Sequence, residues 1–216
     1  MTLGVIGVGN VGSKVAKAGV VLGMRVLLND PPRAVKEEDT QFTLLEEMLE
    51  QSDIVTCHMP LTKEAQLPIR PITCRHSLFF DRMKDGAVYM NTARGAVTDS
   101  AALKQAAQSK LSAYVLDVWE GEPDIDLALL HNALIGTPHI AGYSSDGKAN
   151  GTAVCVREFG RFFGLEILSG WYPATIRAPP MPTVISIDCN GKTKQQILYE
   201  AVIHTYPIWE DTLRLK

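Results

Sequence analysis

For its first two thirds the chain alternates short apolar runs with stretches of helical periodicity. TLGVIG (2–7), RVLLN (25–29), DIVTCHM (53–59), AVYMN (87–91), SAYVLDV (112–118) and ALIGT (133–137) lack polar alternation. Runs of this kind predict strands of a sheet covered on both faces. Between them, residues 11–23 read as a helix ending at Gly23, and Thr43-Leu44-Leu45-Glu46 as a capping box opening a helix to about residue 51. Asp99 is placed to cap a helix through about residue 110, and Leu127–Asn132 reads as a shorter one. Strands alternating with helices imply βαβ units, hence an α/β fold built on a doubly wound parallel sheet.

After Tyr143 the pattern changes to a long helical stretch, about residues 147–169, and then to the proline-rich WYPATIRAPPMP (171–182). That passage is the best candidate for a domain boundary. Beyond it TVISIDC reads as a strand and KTKQQILYEAVIHTY as a helix. One strand and one helix cannot make a core, so this tail is expected to pack on something else or to be itself cut short. The division that follows is 1–145, then a helical return segment at 146–172, then an extension at 173–216.

With 216 residues, 46% hydrophobic and 21% charged, the chain can bury one sizeable core, and nothing points to disorder. A formal charge of -3 gives no electrostatic case for nucleic acid. Cys57, Cys74, Cys155 and Cys189 have neither zinc-site spacing nor the density of a disulfide scaffold, so no metal is expected and a reducing cytoplasm is the default. The amino terminus, MTLGVIGVGNVG, has no signal-peptide pattern, and no segment reaches the apolar length of a membrane span. The first strand pattern opens at Thr2, with no lead-in.

GVGNVG places Gly7, Gly9 and Gly12, with Asn10 and Val11 between them, at the junction of the first strand and first helix. This G-x-G-x-x-G spacing suits a dinucleotide: the first glycine for the tight turn, the second for backbone approach to a pyrophosphate, the third for helix–strand packing. The phosphates then rest on the helix N-terminus. The spacing alone is a weak signal. Asp30, closing the second strand, strengthens it, because an acid there binds adenosine ribose hydroxyls and repels a 2′-phosphate. NAD is therefore favoured in a Rossmann-like domain, with Arg33 leaving a little room for NADP.

Three polar residues lie past successive strands, where open α/β sheets bind ligands: Arg94 after the fourth, Glu122 after the fifth and His139 after the sixth. Oxidising an alcohol with NAD needs a base for the hydroxyl proton and a cation for the substrate's anionic group. His139 titrates in the right range. Glu122 could orient its imidazole and raise its pKa, and Arg94 offers a forked cation for a carboxylate. Each residue alone is more often structural or solvated, so patterning by itself leaves the two readings near even.

Taken together, GVIGVGNVG, LLNDPPR, CHMPLT, NTARGAV, LDVWEGEP and IGTPHIAGY resemble the D-isomer-specific 2-hydroxyacid dehydrogenases, from Leu3 to the chain end. The resemblance implies Arg94 as catalytic arginine, Glu122 as the acid paired with the histidine, and His139 as the acid/base residue. It implies Asp30 on the NAD ribose, Met59, Thr92, Ala93, Asp117 and Gly142 lining the cofactor, and Tyr143 with Arg94 on the substrate. The implied reaction is NAD-dependent oxidation of a small phosphorylated 2-hydroxy acid at C2 to the 2-oxo acid, in a homodimer.

Three departures from the family pattern shape the expectation. The family builds its substrate domain partly from chain preceding the nucleotide-binding domain, so this domain is expected to be incomplete here. The C-terminal dimerisation extension begins near Thr183 and stops at Lys216. LPIRPITCRHS (67–77) replaces the family's Pro-Thr-Tyr-His-Leu-Ser/Ala-Asp, and codons for that pattern shifted by one nucleotide spell Ile69 to Arg75. A pair of compensating frameshifts is the reading this supports, with no designed role for Cys74 or His76; an ordinary divergent loop is the other. The expectation is a polypeptide that binds NAD without turnover on its own. A glycerate or phosphoglycerate dehydrogenase, a non-catalytic NAD-binding module and a fragment without stable fold stay open beside it.

Overall fold

The computed structural model describes residues 1–37, 41–60, 77–179 and 181–216. The frameshift reading of 67–77 therefore lies outside the described residues, apart from the backbone of Ser77. Two compact units are present, Met1–Pro138 with Thr212–Lys216, and His139–Asp211.

The first unit is a parallel sheet with strands β1 (Thr2–Ile6), β2 (Arg25–Asn29), β3 (Ile54–Cys57), β4 (Val88–Asn91), β5 (Ala113–Leu116) and β6 (Ile135–Gly136), in the order β2-β1-β3-β4-β5-β6. All six strand patterns are strands; RVLLN matches β2 from end to end and the other five are trimmed. The order reverses at β1, between β2 and β3, which is the switch point where open sheets take ligands at their carboxyl ends. Beyond β2, Phe42 forms a single parallel bridge to Leu28.

Helices α1 (Gly12–Val21), α2 (Pro31–Glu37), α3 (Leu45–Gln51), α4 (Ser77–Arg82), α5 (Ser100–Ser109) and α6 (Leu127–Asn132) connect the strands. Helices α3 to α6 bury apolar residues with the sheet in one core: Phe79 and Phe80 of α4 stack edge-on against each other and against Tyr89 of β4, all three fully buried. Asp99 caps α5 by accepting from Ala102 N at 2.8 Å, and Gly23 takes φ 80° after α1, as the sequence predicts. The capping box at Thr43 is not formed. The Thr43 amide instead donates to Leu28 O at 2.7 Å beside the Phe42 bridge, and α3 opens at Leu45 without a side-chain cap. Sheet pairing there outcompetes a local cap. Helices α2 and α4 were not foreseen; α2 opens on Pro31 and Pro32, and proline is well suited to a first helical turn.

In the second unit α7 (Ser145–Phe163) stops at Gly164, whose φ of 66° terminates the helix earlier than the predicted 169. Residues 166–168 form a separate 3-10 turn folded close to Gly160, where a Cβ would lie 2.7 Å from Leu168 Cβ. TVISIDC is not a strand. A strand needs a partner for its backbone groups, and none of the described residues supplies one. Thr193 and Gln196 form a capping box at the start of α8 (Lys194–Thr205), and α9 (Ile208–Leu215) follows. The final turn of α9 belongs to the first unit: Gly136 N donates to Thr212 Oγ1 at 3.3 Å, and Lys216 Nζ to Ala133 O at 2.9 Å.

Candidate functional site

The glycine loop crosses the switch point, and each glycine meets a different surrounding. Gly7 has φ 81°, and a Cβ there would lie 2.8 Å from the His58 carbonyl carbon and 2.9 Å from Met59 N. At Gly12 a Cβ would lie 2.0 Å from Gly7 O. Both glycines are therefore demanded by the fold. Gly9 is different: a Cβ there would meet nothing within 4 Å. Gly9, Asn10 and Val11 are exposed, and the N-cap position of α1, Val11, provides no side-chain hydrogen bond. An open approach to an uncapped helix start is what a pyrophosphate requires.

Asp30 ties the loop to β2. Its carboxylate accepts from Val8 N at 2.8 Å and from Arg33 N at 3.2 Å, and its carbonyl accepts from Ala34 N in the first turn of α2. The Arg33 guanidinium donates to Val8 O at 2.5 Å, forks onto Glu37 with two 2.8 Å bonds, and stacks over Phe42. The room that the sequence reading left at Arg33 for NADP is thus taken up by a carboxylate.

These positions fit a bound NAD: open backbone at Gly9 to 11, an acid at the end of β2, and half-buried Met59, Thr92 and Ala93 past β3 and β4. Asp117 is placed otherwise than a cofactor-lining residue would suggest. It is 3% exposed and accepts from Thr137 Oγ1 at 2.6 Å, while Trp119 Nε1 donates to Thr137 O at 2.9 Å. The group links the ends of β5 and β6. Among the described residues no cluster of three His, Cys, Asp or Glu could hold a metal, and no helix is long and apolar enough to cross a membrane.

Arg94 is exposed on the loop after β4, and that loop is organised by Asn91, fully buried at the strand end. Asn91 Oδ1 accepts from Ala93 N at 2.9 Å, while its Nδ2 donates to Arg94 O at 3.0 Å and to Thr98 Oγ1 at 2.8 Å. The Tyr89 hydroxyl joins Thr98 at 2.7 Å. Gly95 then lies so close to the next loop that a Cβ would be 1.9 Å from Trp119 O. The amide of that same Trp119 donates to the Glu122 carboxylate. Arg94 and Glu122 are thereby fixed through one shared peptide segment. Asn91 and Thr98 were missed by the sequence reading; the available signal was a polar residue closing an apolar strand.

His58, past β3, is a further residue the sequence reading passed over. Its ring pairs with Thr56 Oγ1 at 3.0 Å, and burial pushes its pKa below the usual histidine value. A depressed folded pKa means the unfolded chain binds the proton more readily, so this contribution to stability is present above about pH 6.5 and lost as pH falls through the folded value. Denaturant midpoints measured from pH 7.5 to 5 are expected to fall more steeply for the unaltered chain than for His58→Gln. Parallel slopes would remove His58 from that role.

His139, Gly142 and Tyr143 belong to the second unit. His139 is exposed and holds φ 57°, a left-handed conformation that is uncommon outside glycine. The Lys148 ammonium sits 3.5 Å from the centre of the Tyr143 ring and lowers its phenol pKa by hydrogen bonding. Gly142 is exposed with open space around it.

Gly9→Ala separates ligand demand from fold demand. With nothing near the added methyl, stability is expected to change by no more than about 0.5 kcal/mol, while NAD affinity falls about tenfold or more. Thermal melting and a nucleotide titration check the two halves, and unchanged NAD affinity would reject a backbone approach at Gly9.

Residues 1–141 match the family described as D-isomer specific 2-hydroxyacid dehydrogenase, NAD binding domain. An erythronate-4-phosphate dehydrogenase of Bacteroides thetaiotaomicron is 45% identical over 217 residues, covering 100% of this chain and 58% of that protein. One from Bacteroides fragilis is 52% identical over 167 residues, covering 77% of this chain and 47% of its own length. The chain thus spans about half the length of the curated relatives it matches. Among solved structures, D-lactate dehydrogenase from Aquifex aeolicus, complexed with NAD and lactic acid, superposes with a TM-score of 0.60 at 33% identity, covering 82% of this chain and 58% of that one.

Proposed function

Since the chain belongs to the D-isomer specific 2-hydroxyacid dehydrogenases and carries their NAD-binding domain, we propose that it serves NAD-dependent oxidation of 4-phospho-D-erythronate at C2 to the 2-oxo acid, a step of pyridoxal phosphate synthesis. Identity of 45% along the whole chain to an enzyme named for that substrate carries this reading. Its setting is a cytoplasmic homodimer.

Bound NAD supplies the hydride acceptor. Gly9, Asn10 and Val11 would hold its phosphates, Asp30 its ribose, and Met59, Thr92, Ala93 and Gly142 its flank, whereas the buried Asp117 would serve by joining the ends of β5 and β6. His139 would take the proton of the C2 hydroxyl, with Glu122 as the acid that favours the imidazolium. Arg94 pairs with the substrate carboxylate and the developing carbonyl, a role suited to a forked cation, and Tyr143 touches the substrate. Support for Arg94 comes from the Asn91 network, which spends buried hydrogen bonds on shaping an exposed loop.

Initial rates of NAD reduction test the proposal with 4-phospho-D-erythronate against D-glycerate and 3-phosphoglycerate. The assay uses this chain alone and joined to the segments of the Bacteroides thetaiotaomicron relative that it lacks. The expected result is the highest kcat/KM for 4-phospho-D-erythronate. A higher value for another acid overturns the substrate, and NAD binding without turnover of any acid in either form would establish a non-catalytic NAD-binding module instead.

A further inference from the structure

An NADP-binding site at the end of β2 needs a cation for the 2′-phosphate and no opposing carboxylate. This chain has the cation, three residues after the acid, yet the geometry sets it to other use. Arg33 Nη1 is held on the glycine loop at Val8 O, 2.5 Å away. Its Nε and Nη2 both donate to Glu37, one turn further along α2, and its face covers Phe42 at 5.4 Å. Glu37 answers with a pKa below the usual carboxylate range, caused first by the hydrogen bond from Arg33. A fork that already grips one carboxylate in both prongs cannot present them to a phosphate without breaking that pair.

We propose that Glu37 is a positioning residue for cofactor choice, excluding the 2′-phosphate of NADP by neutralising and aiming the Arg33 guanidinium. The proposal rests on the reading of this site as the NAD site. Discrimination then has two separable layers. Asp30 repels the phosphate directly, and Glu37 withholds a cation that could compensate. Removing Asp30 alone leaves the cation occupied, so it weakens NAD without creating a phosphate site. Removing both carboxylates releases Arg33 toward the vacated space at the end of β2. The effects of the two substitutions are therefore expected to exceed their sum, as for residues that share a partner.

The experiment titrates NAD and NADP separately into the unaltered chain, Asp30→Ser, Glu37→Gln, the double variant, and the double variant with Arg33→Gln. Binding is read by calorimetry, with thermal melting of each variant as a check on folding. The Kd ratio of NAD to NADP is expected to shift toward NADP by no more than about threefold for Glu37→Gln in the unaltered background, and by about tenfold or more when Glu37→Gln is added to Asp30→Ser. Arg33→Gln should cancel that gain. A ratio that Glu37→Gln leaves unchanged in the Asp30→Ser background overturns the proposal. So does a gain that persists without Arg33. Because the ratio compares two ligands on one variant, a general loss of stability does not move it. Absence of NAD binding by the unaltered chain is a different result: it defeats the assignment of the site itself.

Discussion

Replacing His139 by Gln is expected to lower kcat for 4-phospho-D-erythronate about 10²–10⁴-fold, the usual share of a general base, and to leave NAD affinity within about twofold. Glutamine keeps the size and polarity of the ring but cannot accept the hydroxyl proton near neutral pH. The backbone adds a reason to single out this residue, since His139 holds φ 57° on an exposed stretch. Such a conformation costs of order 1–3 kcal/mol for an ordinary residue and persists where the surroundings impose it, often at functional sites. The measurement is steady-state kinetics beside an NAD titration, made in the form of the protein that shows turnover. Unchanged kcat would return His139 to a structural role, and a parallel collapse of NAD binding would show that the substitution disturbs the fold.

Gly95→Ala is expected to have the largest effect on stability among single changes at the site. Its Cβ would overlap Trp119 O at 1.9 Å and Trp119 C at 2.1 Å, both backbone atoms that no rotamer change can move aside. Either the loop after β4 or the loop after β5 must retreat. The first carries Arg94 and the second carries the Trp119 amide that holds Glu122. Overpacking against backbone is expected to cost about 2–4 kcal/mol, lowering the melting temperature by roughly 5–15 °C, with turnover lost at temperatures where the chain remains folded. A melting temperature within about 2 °C of the unaltered chain would show that the two loops are not clasped as described.

Much of this was legible in the letters. Period and burial in a parallel sheet both follow from runs such as TLGVIG and AVYMN, because a strand covered on two faces leaves no room for polar alternation. The glycine spacing, Asp30 and the caps at Asp99 and Gly23 are local chemistry, and local chemistry is readable. The failures share a cause. Thr43 has the right neighbours for a capping box, but its amide is claimed by Leu28, a contact set by the sheet. TVISIDC has the composition of a strand and no strand beside it.

Residue type and spacing by themselves determined the architecture of the first unit and the chemistry that its strand ends can offer, since both depend on patterns a few residues long. Tertiary structure alone decided which of those groups are committed. It held Arg33 on Val8, buried Asp117 against Thr137, and set Gly95 against Trp119. It also distinguished Gly9, with empty space before it, from Gly7 and Gly12, which are wedged against backbone. Those distinctions depend on what lies across a gap from each residue, and the atoms on the far side come from distant parts of the chain.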